Sequence, residues 1–248
     1  MSFKPNYELL KSWDETDKSF HKLYPAPYVS VFEKDGKTLI YMCDSHGANE
    51  SFDMVDACFG KLGLAHPDIL LTEFEHDGRE MTSRQFQVNS LAYAAGVAAQ
   101  ENVPVVFADL SKEEMLGVLR AKYPNRTFEQ QDLDDVLRTA PMRSNGEKGE
   151  MNIALNLFGR NRFMLDNIAA ALNKYNVVFA IFGAGHYEEQ RLALIDMMGQ
   201  PKYITKIPNA RGDFSKANIQ QVKLVDFQSR GQLNDTDKTC QNSGGQER

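Results

Sequence analysis

Three cysteines in 248 residues, Cys43, Cys58 and Cys240, are too few and too scattered to build a disulfide framework, and no Cys-x-x-Cys pair is present to hold zinc. Long apolar runs are also missing. No stretch approaches the ~20 residues that a membrane span needs. The N-terminal MSFKPNYELLKSWDETDK carries no apolar segment of the kind a secretory signal requires. Nor is there an excess of positive charge. With 28 Lys and Arg against 34 Asp and Glu the formal net charge is −6, which argues against a nucleic-acid partner. A cytoplasmic, freely diffusing protein is the expectation.

What is present is an ordinary globular composition, 42% hydrophobic and 25% charged, in a chain long enough to bury a sizeable core. YVSVFEKDGKTLIYMC reads as two strands joined through an Asp35-Gly36 turn. Phe52, Val55, Phe59 and Leu62 then share one helical face. PDILLTEF (67–74) is a short apolar strand announced by a proline. Val88, Leu91, Ala95 and Ala98 form the stripe of a helix. VPVVFADL is another buried strand, after which Ser111 and Glu114 make a capping box; Thr127 and Gln130 repeat that signal. A long helix around 151–174 carries Met164, Ile168 and Leu172. NVVFAIF is a strand, YEEQRLALIDMM a helix, and KYITKI and QVKLVDF later strands.

This alternation predicts an α/β fold: one domain over 1–228, with a mostly parallel central sheet and helices on both faces. Residues 1–24 are expected to be an N-terminal extension and 143–150, RSNGEKGE, a flexible loop. Residues 229–248 have little to bury and read as a disordered tail.

The ends of the strands carry the chemistry. One runs into Cys43-Asp44-Ser45-His46, a second into Glu73, a third into Asp109, and a fourth into Gly183-Ala184-Gly185-His186. In open α/β sheets ligands bind beyond the carboxyl ends of the strands, so parallel strands would bring these four ionisable residues to one edge. Each has a simpler explanation taken alone. A histidine at a strand end is often a structural hydrogen-bonding group, Glu73 could cap the next segment, and Asp109 stands where helices commonly begin. Their coincidence is what nominates a site. His21, His66 and His76 are not so placed and read as surface residues; Cys58 reads as core and Cys240 as exposed.

His186 has the strongest case. Gly183 and Gly185 would let the backbone turn sharply and admit a close neighbour. The helix starting at Tyr187 would direct its positive end at the ring and favour the neutral imidazole that a metal ligand or general base must be. A phosphate loop fits poorly, because Gly-x-Gly-His lacks both the third glycine of a dinucleotide fingerprint and a Gly-Lys-Ser/Thr. Ser45 beside His46 lacks the glycines of a nucleophile elbow.

The order of a strand with x-x-His, a helix, PDILLTE, an Ala-rich helix, PVVFAD and GAGH resembles the TraB/PrgY/TIKI proteins, which group with ChaN-like haem-binding proteins and erythromycin esterases. The resemblance runs from Thr38 to about Ile207. Gly183-Ala184-Gly185-His186 matches a Gly-x-x-His motif, and Pro67-Asp68 through Glu73 matches a Pro-Asp-apolar-Glu strand. HGANESF is similar to the His-Gly-Thr-x-Glu-Phe signature of the esterases. GRNRFMLDNI resembles an Arg-Asn/Asp-x-x-Met segment and nominates Arg160. Cys43 stands where the family has glycine, Gly159 where many relatives carry glutamate, and Arg79 near the position of an arginine that follows the strand glutamate.

The resemblance implies an EreA/ChaN-like domain that hydrolyses an ester, amide or peptide bond of a small molecule or peptide. His46, Glu73, His186 and Arg160 are the catalytic candidates, with Asp109, Gly183, Gly185 and Tyr187 against the substrate. Two chemistries fit. His46, Glu73 and His186 could bind manganese, zinc or cobalt, which would polarise the carbonyl and acidify a bound water. Otherwise a histidine or Glu73 activates water while Arg160 and the other histidine stabilise the oxyanion. The competing readings are a haem or small-molecule binding protein, with Met42 and Tyr187 lining the pocket, and an inactive interaction module. Cys43 is either an adventitious ligand or a small residue filling a strand end.

Overall fold

The computed structural model describes residues 2–45, 49–61, 63–73, 89–138 and 146–205. Asp35 and Gly36 adopt φ of 52° and 74°, the left-handed pair that a tight two-residue hairpin requires. They fold β1 (Tyr28–Lys34) onto β2 (Lys37–Asp44) as an antiparallel pair running from Lys34↔Lys37 to Tyr28↔Cys43. On its other side β2 pairs in parallel with β5 (Val177–Gly183), and β5 in turn with β3 (Ile69–Thr72). β4 (Val105–Phe107) completes that edge, while β6 (Lys202–Ile204) pairs antiparallel with β1. The six-stranded sheet therefore has the order β4-β3-β5-β2-β1-β6, four parallel strands with an antiparallel pair at one edge.

Every residue of β5 is buried, as expected of a strand covered on both faces. The period of two sorts the side chains. Tyr41, Cys43, Leu71, Ala180 and Phe182 face α7 (Asn161–Lys174) and α8 (Ala184–Met198). Ile40, Met42, Leu70, Phe179 and Ile181 face α2 (Asn49–Asp56) and α3 (Ser90–Gln100). A smaller apolar cluster, including Leu116, Leu119, Leu133, Val136 and Leu155, joins α4 (Lys112–Lys122), α5 (Gln130–Arg138) and α6 (Glu147–Leu155).

The Ser111–Glu114 box forms: the Ser111 hydroxyl and backbone N–H reach Glu114 Oε2 at 2.6 and 2.7 Å. α3 departs from the expected single stripe, because Ser90 through Ala99 are all buried; its small side chains let it pack on every side. The loop expected at 143–150 is partly helix, since α6 starts at Glu147. Within the expected N-terminal extension, residues 2–24 pack onto the domain. The Phe3 backbone donates to Asn173 Oδ1 at 2.8 Å and accepts from its Nδ2 at 3.1 Å, and Trp13 and the Phe20 of α1 (Lys18–Leu23) are buried. Leu62, Val88, Cys240, the strand expected in QVKLVDF and the tail at 229–248 lie outside the described residues. Among the described residues no helix is long and apolar enough to cross a membrane.

The long helix expected around 151–174 is two α-helices, α6 and α7, joined by a π-helical turn over Asn156–Arg160. Gly159 lies in that turn against α4. A side-chain carbon there would meet Leu110 Cδ1 and Val118 Cγ2, each at 3.0 Å. Gly159→Val is therefore expected to destabilise the fold by about 1–3 kcal/mol through overpacking, read as a lower urea midpoint at unchanged m-value.

Candidate active site at the carboxyl edge of the sheet

Glu73 is the residue directly after β3, and His186 lies in the first turn of α8, directly after β5. Because β3 and β5 are parallel neighbours, both residues arrive at the same edge. Glu73 Oε2 accepts the Gly183 N–H at 3.0 Å and lies 3.5 Å from His186 Nε2, with the side chains 7% and 10% exposed. On the other side of the ring, Nδ1 is 2.8 Å from Asn161 Oδ1.

A buried amide network sets the orientation of the ring. Tyr41 donates to Gln190 Oε1 at 3.1 Å, so Gln190 turns its Nε2 to Asn161 Oδ1, at 2.9 Å. Asn161 Nδ2 donates to Glu189 Oε2 at 2.7 Å. Asn161 thus presents its carbonyl to the imidazole, which places an N–H at Nδ1 and turns Nε2 toward Glu73. Two acceptors so close are satisfied by one proton held between them or by a cation. Their separation also fits metal ligation, since two ligands of a tetrahedral ion at ~2.1 Å lie about 3.4 Å apart. Among the described residues, however, no three His, Cys, Asp or Glu side chains are arranged to hold a metal.

Beside this pair lies an ion pair. Asp109 follows β4 and accepts from Arg160 Nε at 3.0 and 3.2 Å and from Nη2 at 2.6 Å, a two-pronged arrangement. The Leu110 N–H adds a 2.8 Å bond to Asp109 Oδ1. Burial pushes the Asp109 carboxyl upward and the guanidinium opposes it. Burial likewise opposes the Arg160 charge, but Asp109 outweighs it and keeps the group ionised; Glu73 and Glu189 add to that pull. With Nη1 at 3.4 Å from Asn156 Oδ1, three of the five guanidinium N–H groups are committed among the described residues.

No family model, curated protein or solved structure matches the chain.

Of the residues nominated from sequence, Glu73, His186 and Gly183 come together, with Arg160 and Asp109 beside them. His46 and Arg79 lie outside the described residues. The glycines act differently from expectation. Gly183 has φ −56° and ψ 142°, open to any residue, and contributes its N–H. Gly185 is helical, because α8 begins at Ala184 rather than Tyr187; a side-chain carbon there would make only an ordinary 3.8 Å contact with Trp13. Tyr187 does not line the site. It is fully buried among Phe20, Tyr28 and Tyr41, with its hydroxyl donating to Tyr203 at 3.2 Å. Met42 is equally buried on the opposite face of the sheet, so the two cannot line one haem or substrate pocket. Cys43 is a buried thiol whose ionisation burial pushes well upward, in keeping with a core residue and not a ligand.

Sequence reasoning missed Asn161, Glu189, Gln190 and Asp44. Asp44, 1% exposed, accepts the Ser90 hydroxyl at 2.7 Å. The available signal was HYEEQ, an unbroken polar run in the first turns of a helix lying against the sheet. Burial pushes the Glu189 carboxyl up to about 7, against the pull of Asn161 and Arg160. Burial also pushes Glu188 up to about 8, opposed by Arg191.

Proposed function

We propose that this chain hydrolyses an ester, amide or peptide bond, with water activated at the Glu73–His186 pair. The reading is carried by one observation: two acid–base groups 3.5 Å apart at the carboxyl edge of the sheet, in a ring orientation fixed from behind by Asn161. Once the proton shared by the pair has left, Nε2 takes a proton from water as the oxygen attacks the carbonyl carbon, and Glu73 stabilises the imidazolium that forms. The same proton then passes to the leaving group. Arg160, held by Asp109, directs its uncommitted N–H groups at the developing oxyanion. The substrate class, a small-molecule ester or a peptide, rests on the resemblance of the GAGH and PDILLTE motifs to those of the TraB/PrgY/TIKI proteins and erythromycin esterases. Where a divalent ion such as manganese, zinc or cobalt is bound, Glu73 and His186 supply ligands, His46 is the further candidate, and the ion acidifies water.

A panel of chromogenic esters, amides and peptides, assayed with chelator and with each added metal, tests the reading. Wild-type turnover that falls by about 10²–10⁴-fold in Glu73→Gln is the expected result. Equal turnover by the two proteins would overturn it.

A further inference from the structure

The N-terminal segment crosses the outer side of α8, the helix that carries His186. The Lys11 N–H donates to the Glu189 carbonyl at 3.0 Å. Trp13, the single tryptophan of the chain, is 6% exposed, and its ring lies against Gly185. A short turn over Trp13–Glu15 is locked by the Ser12 N–H on Glu15 Oε2 at 2.9 Å and by the Thr16 hydroxyl on the Trp13 carbonyl at 2.8 Å. Beside it a partly open cavity of about 140 Å³ lies between the segment and α8, bounded by Lys11, Asp17, Phe20, Glu188 and Arg191.

Glu189 joins this segment to the candidate site. Its main chain holds Lys11, its carboxylate holds Asn161, and Asn161 holds His186. The Trp13 backbone N–H also faces the carboxylate, which is 1% exposed. We infer that residues 11–16 form a pH-responsive strap over the helix that carries His186, which lifts from α8 when the Glu189 carboxyl ionises. The strap stands independently of hydrolysis, because its opening is read without a substrate.

The direction follows from where the proton sits. Closed, Glu189 holds its proton up to about pH 7; open, the carboxyl returns to water and its ordinary value of 4.5. Closure is thus favoured in full below 4.5, loses up to about tenfold per pH unit between 4.5 and 7, and is constant above. The groups facing Glu189 are Arg160 from the π-helical turn, Asn161 from α7, Tyr41 from β2, the Trp13 backbone from the strap, and Glu188 on its own helix. Around Glu188 stand Asp17, Arg191, Cys43 and Tyr28, and Lys11 and Glu15 line the cavity.

Amide hydrogen exchange at Lys11, corrected for the intrinsic rate at each pH, measures the opening directly. In the wild-type protein its protection is expected to fall roughly seventyfold between about pH 5 and pH 8, while Phe179 in β5 stays constant. Glu189→Gln, which keeps the acceptor for Asn161 but holds no titrating proton, is expected to flatten that fall. Acrylamide quenching of Trp13 should rise over the same range in the wild type and not in the variant. Constant wild-type protection overturns the proposal even if the variant does not fold. A fall that persists in Glu189→Gln overturns it as well, as does one lost in Glu188→Gln but retained in Glu189→Gln.

Discussion

His186→Ala is expected to lower turnover on any responsive ester or peptide by about 10²–10⁴-fold while leaving the protein folded. The side chain is 10% exposed and held at Nδ1, so its removal deletes the proton carrier and one of the two N–H groups on the Asn161 carbonyl, which keeps that of Gln190. The stability loss is expected to be about 1–3 kcal/mol, from the lost Nδ1 hydrogen bond and the space the ring leaves. Added imidazole separates chemistry from structure. It should restore part of the turnover of the alanine variant by occupying the vacated volume, with only the small rise in urea midpoint that weak binding to the folded state brings. Loss of turnover with no rescue, accompanied by a collapse in stability, would mark His186 as a packing residue instead.

The second large effect concerns the ion pair. Asp109→Ala leaves the Arg160 guanidinium buried without its two-pronged partner, and is expected to destabilise the fold by about 3–5 kcal/mol. The double variant Asp109→Leu with Arg160→Met removes both charges and fills their volume with apolar groups, so it should unfold at a higher urea concentration than Asp109→Ala. A double variant no more stable than the single one would mean that the pair is not the desolvated unit its exposure indicates, with side chains 5% and 17% accessible. Turnover separates the two roles of Arg160. A stable double variant that still hydrolyses substrate at the wild-type rate would remove it from the oxyanion contact.

The strands were legible because burial on both faces leaves a run such as VVFAIF in the sequence, and the turn at Asp35-Gly36 marks itself by residue type. Glu73, Asp109 and His186 were legible for a related reason: a titrating group at the end of an apolar run has no local explanation. The strand order was not written locally. β5 inserts between β2 and β3, and nothing in NVVFAIF names its neighbours. Asn161, Glu189 and Gln190 were hidden because polar residues on a helix ordinarily face water; the segment around Trp13, Tyr41 of β2 and the packing of α7 on α8 enclose them. Gly183 was noticed for the wrong property, since its backbone angles are unexceptional and its amide is what meets Glu73.

The π turn between α6 and α7 lets the two ends of one rod obey different phases. An α-helix advances 100° per residue, so the additional residue carried by the turn rotates everything downstream relative to the α4 side. Gly159 stays against α4, whereas Arg160 and Asn161 swing to Asp109 and to the His186 ring. Shortening the turn by one residue would give a more regular helix with every backbone bond in the ordinary i to i−4 pattern. It would also rotate Arg160 and Asn161 away from their partners by about a quarter of a turn. In this segment a deletion that improves the helix dismantles the constellation at its end, and insertion–deletion scanning across 156–160 would find function and helical regularity pulling in opposite directions.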